Sequence, residues 1–412
     1  MMRCTLSVVG AAALAVAAGC EDPLIPADTV FELPEAEVFK DTRASVAPAP
    51  GEGRIYITNS LSDTVSILDL DAVDSDDLRV LATVPVGFNT VEREGPHHLI
   101  AAPDGEHYFV GISNFVPGSG SGPHGIHGAG TADGYALKMS VKDDLLVAFT
   151  RVDRSPGDIR LTSDGATLLM SHFDLVAVNN AINSGNLDDA IARLAIIDAD
   201  KMERTAMVDI CAGGHGIAVS PDSTRAFVSC MGDEMAVIDL VDDAHPVTRV
   251  PVIDDPGDPS GPVCFPYAMA VTPSGDAAFV SCFQTGQVRA FDTASGTIDD
   301  ERSFQLNGGA MFGSFTADGT QLFIAHQNID GVTVVDAATG DVERFYILTP
   351  DVCFNAHVAR LTEDEQRVMV VCEGDHSGPG TFVVLNVETG AVERHIELGV
   401  FPDDIALMRR PQ

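Results

Sequence analysis

Gly216-Ile217-Ala218-Val219-Ser220-Pro221-Asp222, followed two residues later by Arg225-Ala226-Phe227-Val228-Ser229, is the stretch that decides the fold. Small and apolar residues flank a Ser-Pro-Asp turn, which reads as two short antiparallel strands joined tightly. The phrase returns at 268–275 with Ala278-Phe279-Val280-Ser281. A third strand ending in Asp follows, as in Thr64-Val65-Ser66-Ile67-Leu68-Asp69, Met235-Ala236-Val237-Ile238-Asp239, Val288-Arg289-Ala290-Phe291-Asp292 and Val332-Thr333-Val334-Val335-Asp336. Turns such as Ala338-Thr339-Gly340 and Glu388-Thr389-Gly390 lead into a fourth. From Arg54 onward the unit recurs roughly every 40–60 residues, a period that marks a repeat architecture.

Four short alternating strands per unit, divided by Gly and Asp turns, are the pattern of a β-propeller blade. The opening Ile55-Tyr56-Ile57-Thr58-Asn59-Ser60 resembles the YVTN-type repeat of bacterial extracytoplasmic propellers, and later copies match its Ser-Pro-Asp-Gly turn. The resemblance covers residues 54–409. The turn between first and second strands occurs six times, at Pro103-Asp104-Gly105, Ser163-Asp164-Gly165, Pro221-Asp222, Pro273-Ser274-Gly275, Ala317-Asp318-Gly319 and Glu363-Asp364. Blade 1 begins at its second strand, and Asp404-Ile405-Ala406-Leu407-Met408 has the pattern of the missing first one. The expectation is an all-β fold over 54–412: a single seven-bladed β-propeller of four-stranded antiparallel blades, with the C-terminal strand completing blade 1. Six blades with extra strands is the competing count.

Arg3 is the only charge before an apolar stretch of about 15 residues, too short to span a bilayer comfortably and the right size for a signal peptide. It ends in Ala17-Ala18-Gly19-Cys20, which resembles the lipobox of bacterial lipoproteins. That resemblance implies cleavage after residue 19, lipidation of Cys20 and an address in the cell envelope, periplasmic or on the outer surface. Residues 20–53, rich in Pro, Ala and acid, read as a flexible tether. With 61 Asp and Glu against 24 Lys and Arg, and a formal net charge of −37, nucleic acid is excluded as a charge-driven partner, and membrane contact is expected through the acyl anchor only.

Beyond Cys4 and Cys20, the cysteines form three pairs: Cys211 and Cys230, Cys264 and Cys282, Cys353 and Cys372. In each pair the first precedes a first strand and the second ends a second strand. The spacing predicts three disulfides, each within one blade, in an oxidising compartment.

Aligning the blades on the turn gives a column just before the first strand: Asp403, His97, Gly157, His215, Tyr267, Met311 and His357. The next column holds Asp404, His98, Asp158, Gly216, Ala268, Phe312 and Val358. His172 and His326 stand where other blades carry the second cysteine, while His124, His127 and His376 fall in loops of the same end. Nine of the 12 histidines thus map to one mouth of the channel. His suits borderline metals such as copper and zinc, with His97, His215 and His357 as primary ligands and His172 or His326 assisting. His98, Asp158, Tyr267, Met311, Asp403 and Asp404 would line a ligand-binding mouth.

Three functions fit. The first is a lipid-anchored binding module presenting its loop face to a protein, polymer or small ligand. The second is a copper- or zinc-binding protein or metal-dependent oxidoreductase. The third is a hydrolase, since the frame is similar to that of some bacterial sugar lactonases, with His97 or His215 and Asp403 or Asp158 in acid–base roles. The chain has no Gly-x-Ser-x-Gly, Walker loop, His-Glu-x-x-His or Cys-x-x-Cys-His motif.

Overall fold

The structure, a computed structural model, describes residues 46–88, 94–114, 127–130, 132–254 and 263–412. Its strands, numbered β1 to β28 in chain order, form seven four-stranded antiparallel blades. β1 (Gly53–Asn59) pairs with β28 (Pro402–Arg409), so the last strand closes the first blade as the sequence predicts. The innermost strands are β28, β4 (Pro96–Ala101), β8 (Pro156–Leu161), β12 (Gly214–Val219), β16 (Pro266–Val271), β20 (Gly309–Phe315) and β24 (Ala356–Leu361). Each contacts the next, and β24 meets β28, closing the ring around one axis. A single parallel bridge, Phe312 to Val358, links blades 6 and 7. The end of the stretch read as tether lies against this closure: Gly51 N–H donates to Arg410 O, and Arg54 Nε to Val46 O.

Four of the six turns reuse one small device. Thr162, Ser220, Thr316 and Thr362 donate a hydroxyl to Asp164, Asp222, Asp318 and Asp364, at 2.6–2.7 Å. The same oxygens accept the N–H of Thr167, Arg225, Gln321 and Arg367, which open the following strands. The left-handed position is Gly in four turns, and Ser223 and Glu365 in the other two.

Strict alternation does not survive at the inner strands. All seven carry one extra residue near their N-terminal end relative to the partner strand, for example Pro96 to Leu99 opposite Ile112 to Val110, and Gly214 to Ile217 opposite Cys230 to Val228. Such a bulge re-aims side chains that a regular strand would send to opposite faces. It also frees backbone groups, and a hydroxyl satisfies them. Thr58, Ser171 and Ser229 accept the N–H of Asp404, Asp158 and Gly216 in their own blades. They donate to the carbonyls of His97, His215 and Tyr267 in the next blades.

The three disulfides form, with Cα separations of 5.9, 4.8 and 5.3 Å. One detail differs from expectation. Cys211 lies on β11 (Glu203–Ala212), the outer strand of blade 3, so its bond to Cys230 on β13 (Arg225–Cys230) ties two blades together rather than closing one. An insertion after His172 is a ten-residue helix, α1 (Leu175–Ser184). Asp174 caps it by accepting from Ala177 N–H, and Gly185 ends it in the left-handed conformation. Its Val, Asn and Ser content is poor in helix formers, so these caps and the burial of Val178 and Ala181 against Ala190 and Ala212 supply what propensity does not.

Candidate metal centre

The bulges bring both predicted columns onto the axis. His97 and His98, adjacent in sequence, have ring centroids 4.3 Å apart, and His215 lies 5.4 Å from the first and 5.5 Å from the second. His357 is 5.9 Å from His98, and His127 stacks on His97 at 4.0 Å with an interplanar angle of 7°. All five imidazoles are fully buried. Phe173, Tyr267, Phe312 and Phe401 enclose them in aromatic contacts.

Their orientations follow one rule. His97 Nδ1 lies 3.1 Å from Pro156 O, His215 Nδ1 lies 3.0 Å from Tyr267 O, and His357 Nδ1 contacts Asp403 O. In each case the acceptor is on the inner strand of the following blade. A neutral ring that donates from Nδ1 carries its lone pair on Nε2, and a backbone acceptor of this kind is the usual orienting partner of a metal-bound imidazole. Burial, reinforced by neighbouring rings, holds His97, His127 and His215 well below the ordinary histidine range, and burial brings His357 down to about 4. Neutral imidazoles are what a metal requires.

Ligand atoms of His97, His98 and His215 lie within 4.8 Å of one another, as do those of His97, His127 and Asp403. Ligand atoms of one zinc ion lie about 2 Å from it, so either trio would have to draw closer together to share an ion. A third trio, His98, Asp158 and Asp404, is of another kind. Arg160 already stands 2.6 Å from Asp158 and 3.6 Å from Asp404, so a fixed cation supplies the charge there. His98 Nδ1 is 3.0 Å from Asp404 and 3.5 Å from Asp158.

The two adjacent carboxyls diverge. Burial, with the charges of Glu373 and Asp404, pushes Asp403 well above the usual carboxylate range. Burial would raise Asp404 too, but His98, Arg160 and Arg360 outweigh it and hold that group well below.

Of the metal ligands expected from sequence, His97, His215 and His357 gather at the axis, while His172 and His326 do not. His172 has Nδ1 on Arg193 O at 2.6 Å and Nε2 accepting from Asp153 N–H, so the main chain occupies both nitrogens. His326 turns outward within blade 6, with Nε2 3.0 Å from Thr333 Oγ1 and its ring against Phe345. The residues expected to line an open mouth, His98, Asp158, Tyr267, Met311, Asp403 and Asp404, are instead buried, because the bulges turn them inward rather than toward the loops. The expected acid–base pairs also re-sort. His97 and His215 bind carbonyls through Nδ1, and it is His98 that meets Asp404 and Asp158, while His127 Nε2 stands 3.4 Å from Asp403. Gly157, the gap in the histidine ring, has no room for a side chain: a Cβ there would come 2.7 Å from Ser171 Oγ and 3.3 Å from His215 Cα. His376 pairs with Glu373 at 2.8 Å and stacks on Phe401. His124 and Cys20 lie outside the described residues.

The frame has solved counterparts. The periplasmic gluconolactonase PpgL of Pseudomonas aeruginosa superposes with a TM-score of 0.62 at 17% identity, covering 87% of this chain and 100% of the other. A Bacteroides uniformis protein assigned as a 6-phosphogluconolactonase gives 0.62 at 14% identity, with coverage of 87% and 100%. Hydrazine synthase of Kuenenia stuttgartiensis gives 0.57 at 16%, with coverage of 78% and 91%. At these identities the likeness establishes the propeller alone. No known sequence family matches the chain. No curated protein matches it either.

Proposed function

We propose that this chain is an envelope propeller, lipid-anchored at Cys20, whose axial histidines hold a copper or zinc ion. The observation that carries the reading is the trio His97, His98 and His215, fully buried with ligand atoms within 4.8 Å of one another and with the first and last rings oriented by backbone carbonyls. Five buried imidazoles serve no packing need that Leu or Phe would not meet at lower cost in desolvation. A nitrogen-rich set favours copper and zinc over the harder cations. The lipobox-like segment and the disulfides agree with an oxidising, extracytoplasmic address.

The test is calorimetric titration of chelator-treated, disulfide-intact protein with Zn²⁺ and Cu²⁺. The reading expects a tight site that His97→Ala or His215→Ala abolishes and that His172→Ala leaves unchanged. Equal binding by all three variants would overturn it.

A second reading, lactone hydrolysis, is favoured by one geometry: the buried His98–Asp404 pair, a base with its orienting carboxylate, beside Phe312 at the inner end of a cavity. It is checked with gluconolactone as substrate. Turnover that persists in chelator and disappears in His98→Ala would support it over the metal reading, and a rate equal to the buffer blank would end it.

A further inference from the structure

Phe312 divides the axis: it touches His98, His215 and His357, and it also lines a cavity of about 340 Å³. The cavity is formed by the C-terminal halves of the inner strands and reaches Pro273 in a turn between first and second strands. Solvent approaches from that side. Five of the seven inner strands begin with four buried residues and end half-buried, the reverse of an opening at the histidine end.

The walls are mostly apolar, among them Ile217, Met269, Val271 and Phe315. Two arginines project among them. Arg160 and Arg360 occupy equivalent places, each two residues after a position of the second axial column. Arg160 is engaged by Asp158 and Asp404. The Arg360 guanidinium makes no hydrogen bond or ion pair with a described residue, and its charged neighbours, Arg160, Asp404 and Asp158, act on it only at longer range. Acids are not scarce in a chain of 61 Asp and Glu, and Arg151, Arg154, Arg193, Arg289 and Arg302 each find one. Burial and the like charge of Arg160 pull the Arg360 pKa down, the direction an added anion would reverse.

We propose that this cavity binds a small organic anion, a carboxylate or phosphate on a partly apolar frame, anchored by the Arg360 guanidinium beside Arg160 and entering from the turn end of the channel. A guanidinium presents a planar fork that matches either oxyanion with two parallel hydrogen bonds. The apolar walls take the rest of the ligand, and the volume falls in the range of small-molecule sites. The site does not depend on a metal at the histidines.

The experiment titrates chelator-treated protein with benzoate, phenyl phosphate and, as the neutral control, benzyl alcohol, at low and high salt. One or both anions bind, the tighter one naming the head group, while benzyl alcohol does not; Arg360→Gln weakens the anion by about tenfold or more, and Arg360→Lys by less. The melting temperature of each variant reports whether the ring is kept, and Arg360→Lys preserves the charge that helps hold Asp404 ionised. Binding of the anions unchanged in Arg360→Gln, equal binding of benzyl alcohol, or no binding of either anion at low salt would each overturn the proposal.

Discussion

Individual histidines give the chain a measurable acid response. His97, His127, His215 and His357 stay neutral in the folded state, whereas their unfolded counterparts take up protons near the ordinary histidine value of 6.5. Below that pH the unfolded chain binds more protons, so stability falls as pH falls, and for His357 the loss continues down to about 4. The turn carboxylates act lower. Asp222 is held at about 2 by the Ser220 hydroxyl and Thr224 N–H, and Asp276, despite burial, by Ser274, Thr272 and Arg302. Their contribution is present above the unfolded carboxylate pKa and is lost as pH drops toward 2. Between pH 7 and 5 the excess negative charge shrinks, which by itself would stabilise a chain of net charge −37. Urea unfolding of the metal-free protein is therefore diagnostic: the midpoint falls from pH 7 to pH 5, and His357→Gln flattens that slope. A midpoint that rises over this window would show that the imidazoles are not buried neutral.

The bulged inner strand explains which parts of the site were legible in the sequence. Columns counted from the turns grouped His97, His215 and His357 at one end of the channel, and the structure brings the three together on the axis, because the repeat keeps register from turn to strand. They could not show that His97 and His98 share the axis, since alternation sends neighbours to opposite faces and an extra residue has no composition of its own. The missed signal was the hydroxyl at the penultimate residue of the second strand, at Thr58, Ser171, Ser229 and Ser281, which bonds across to His97, His215, Tyr267 and Met311. His172 and His326 were misplaced for the converse reason. They lie on second strands, which carry no bulge to turn them toward the axis. Ser229 tests the device. Ser229→Ala leaves Gly216 N–H and Tyr267 O without that partner and should cost about 1–3 kcal/mol in chemical denaturation. It should also weaken metal binding through His215, which rests on Tyr267 O. A stability change within about 0.5 kcal/mol, as at an ordinary surface site, would contradict the role.

The whole molecule is a closed ring, and closure depends on the last strand. The seven-blade count was readable because six turns and an orphan first strand favour it over six blades with extra strands, and β28 takes the missing place. Which end of the channel admits solvent was not readable, since it depends on how far side chains fill the axis, and those of Tyr267, Phe312 and the imidazoles fill the histidine end. Removing residues 402–412 exposes β1 as a free edge and withdraws Asp403 and Asp404 from the axis. Such a truncation should lose cooperative unfolding and aggregate in size-exclusion chromatography. A monomer with an unchanged melting temperature would show that the ring does not need its closing strand.

Anomalous diffraction, recorded at the zinc and copper absorption edges from crystals equilibrated with each metal, addresses the axial site most directly. The account predicts one dominant peak on the axis, within bonding reach of His97, His98 and His215. An empty axis, with anomalous signal only at surface carboxylates, would contradict it.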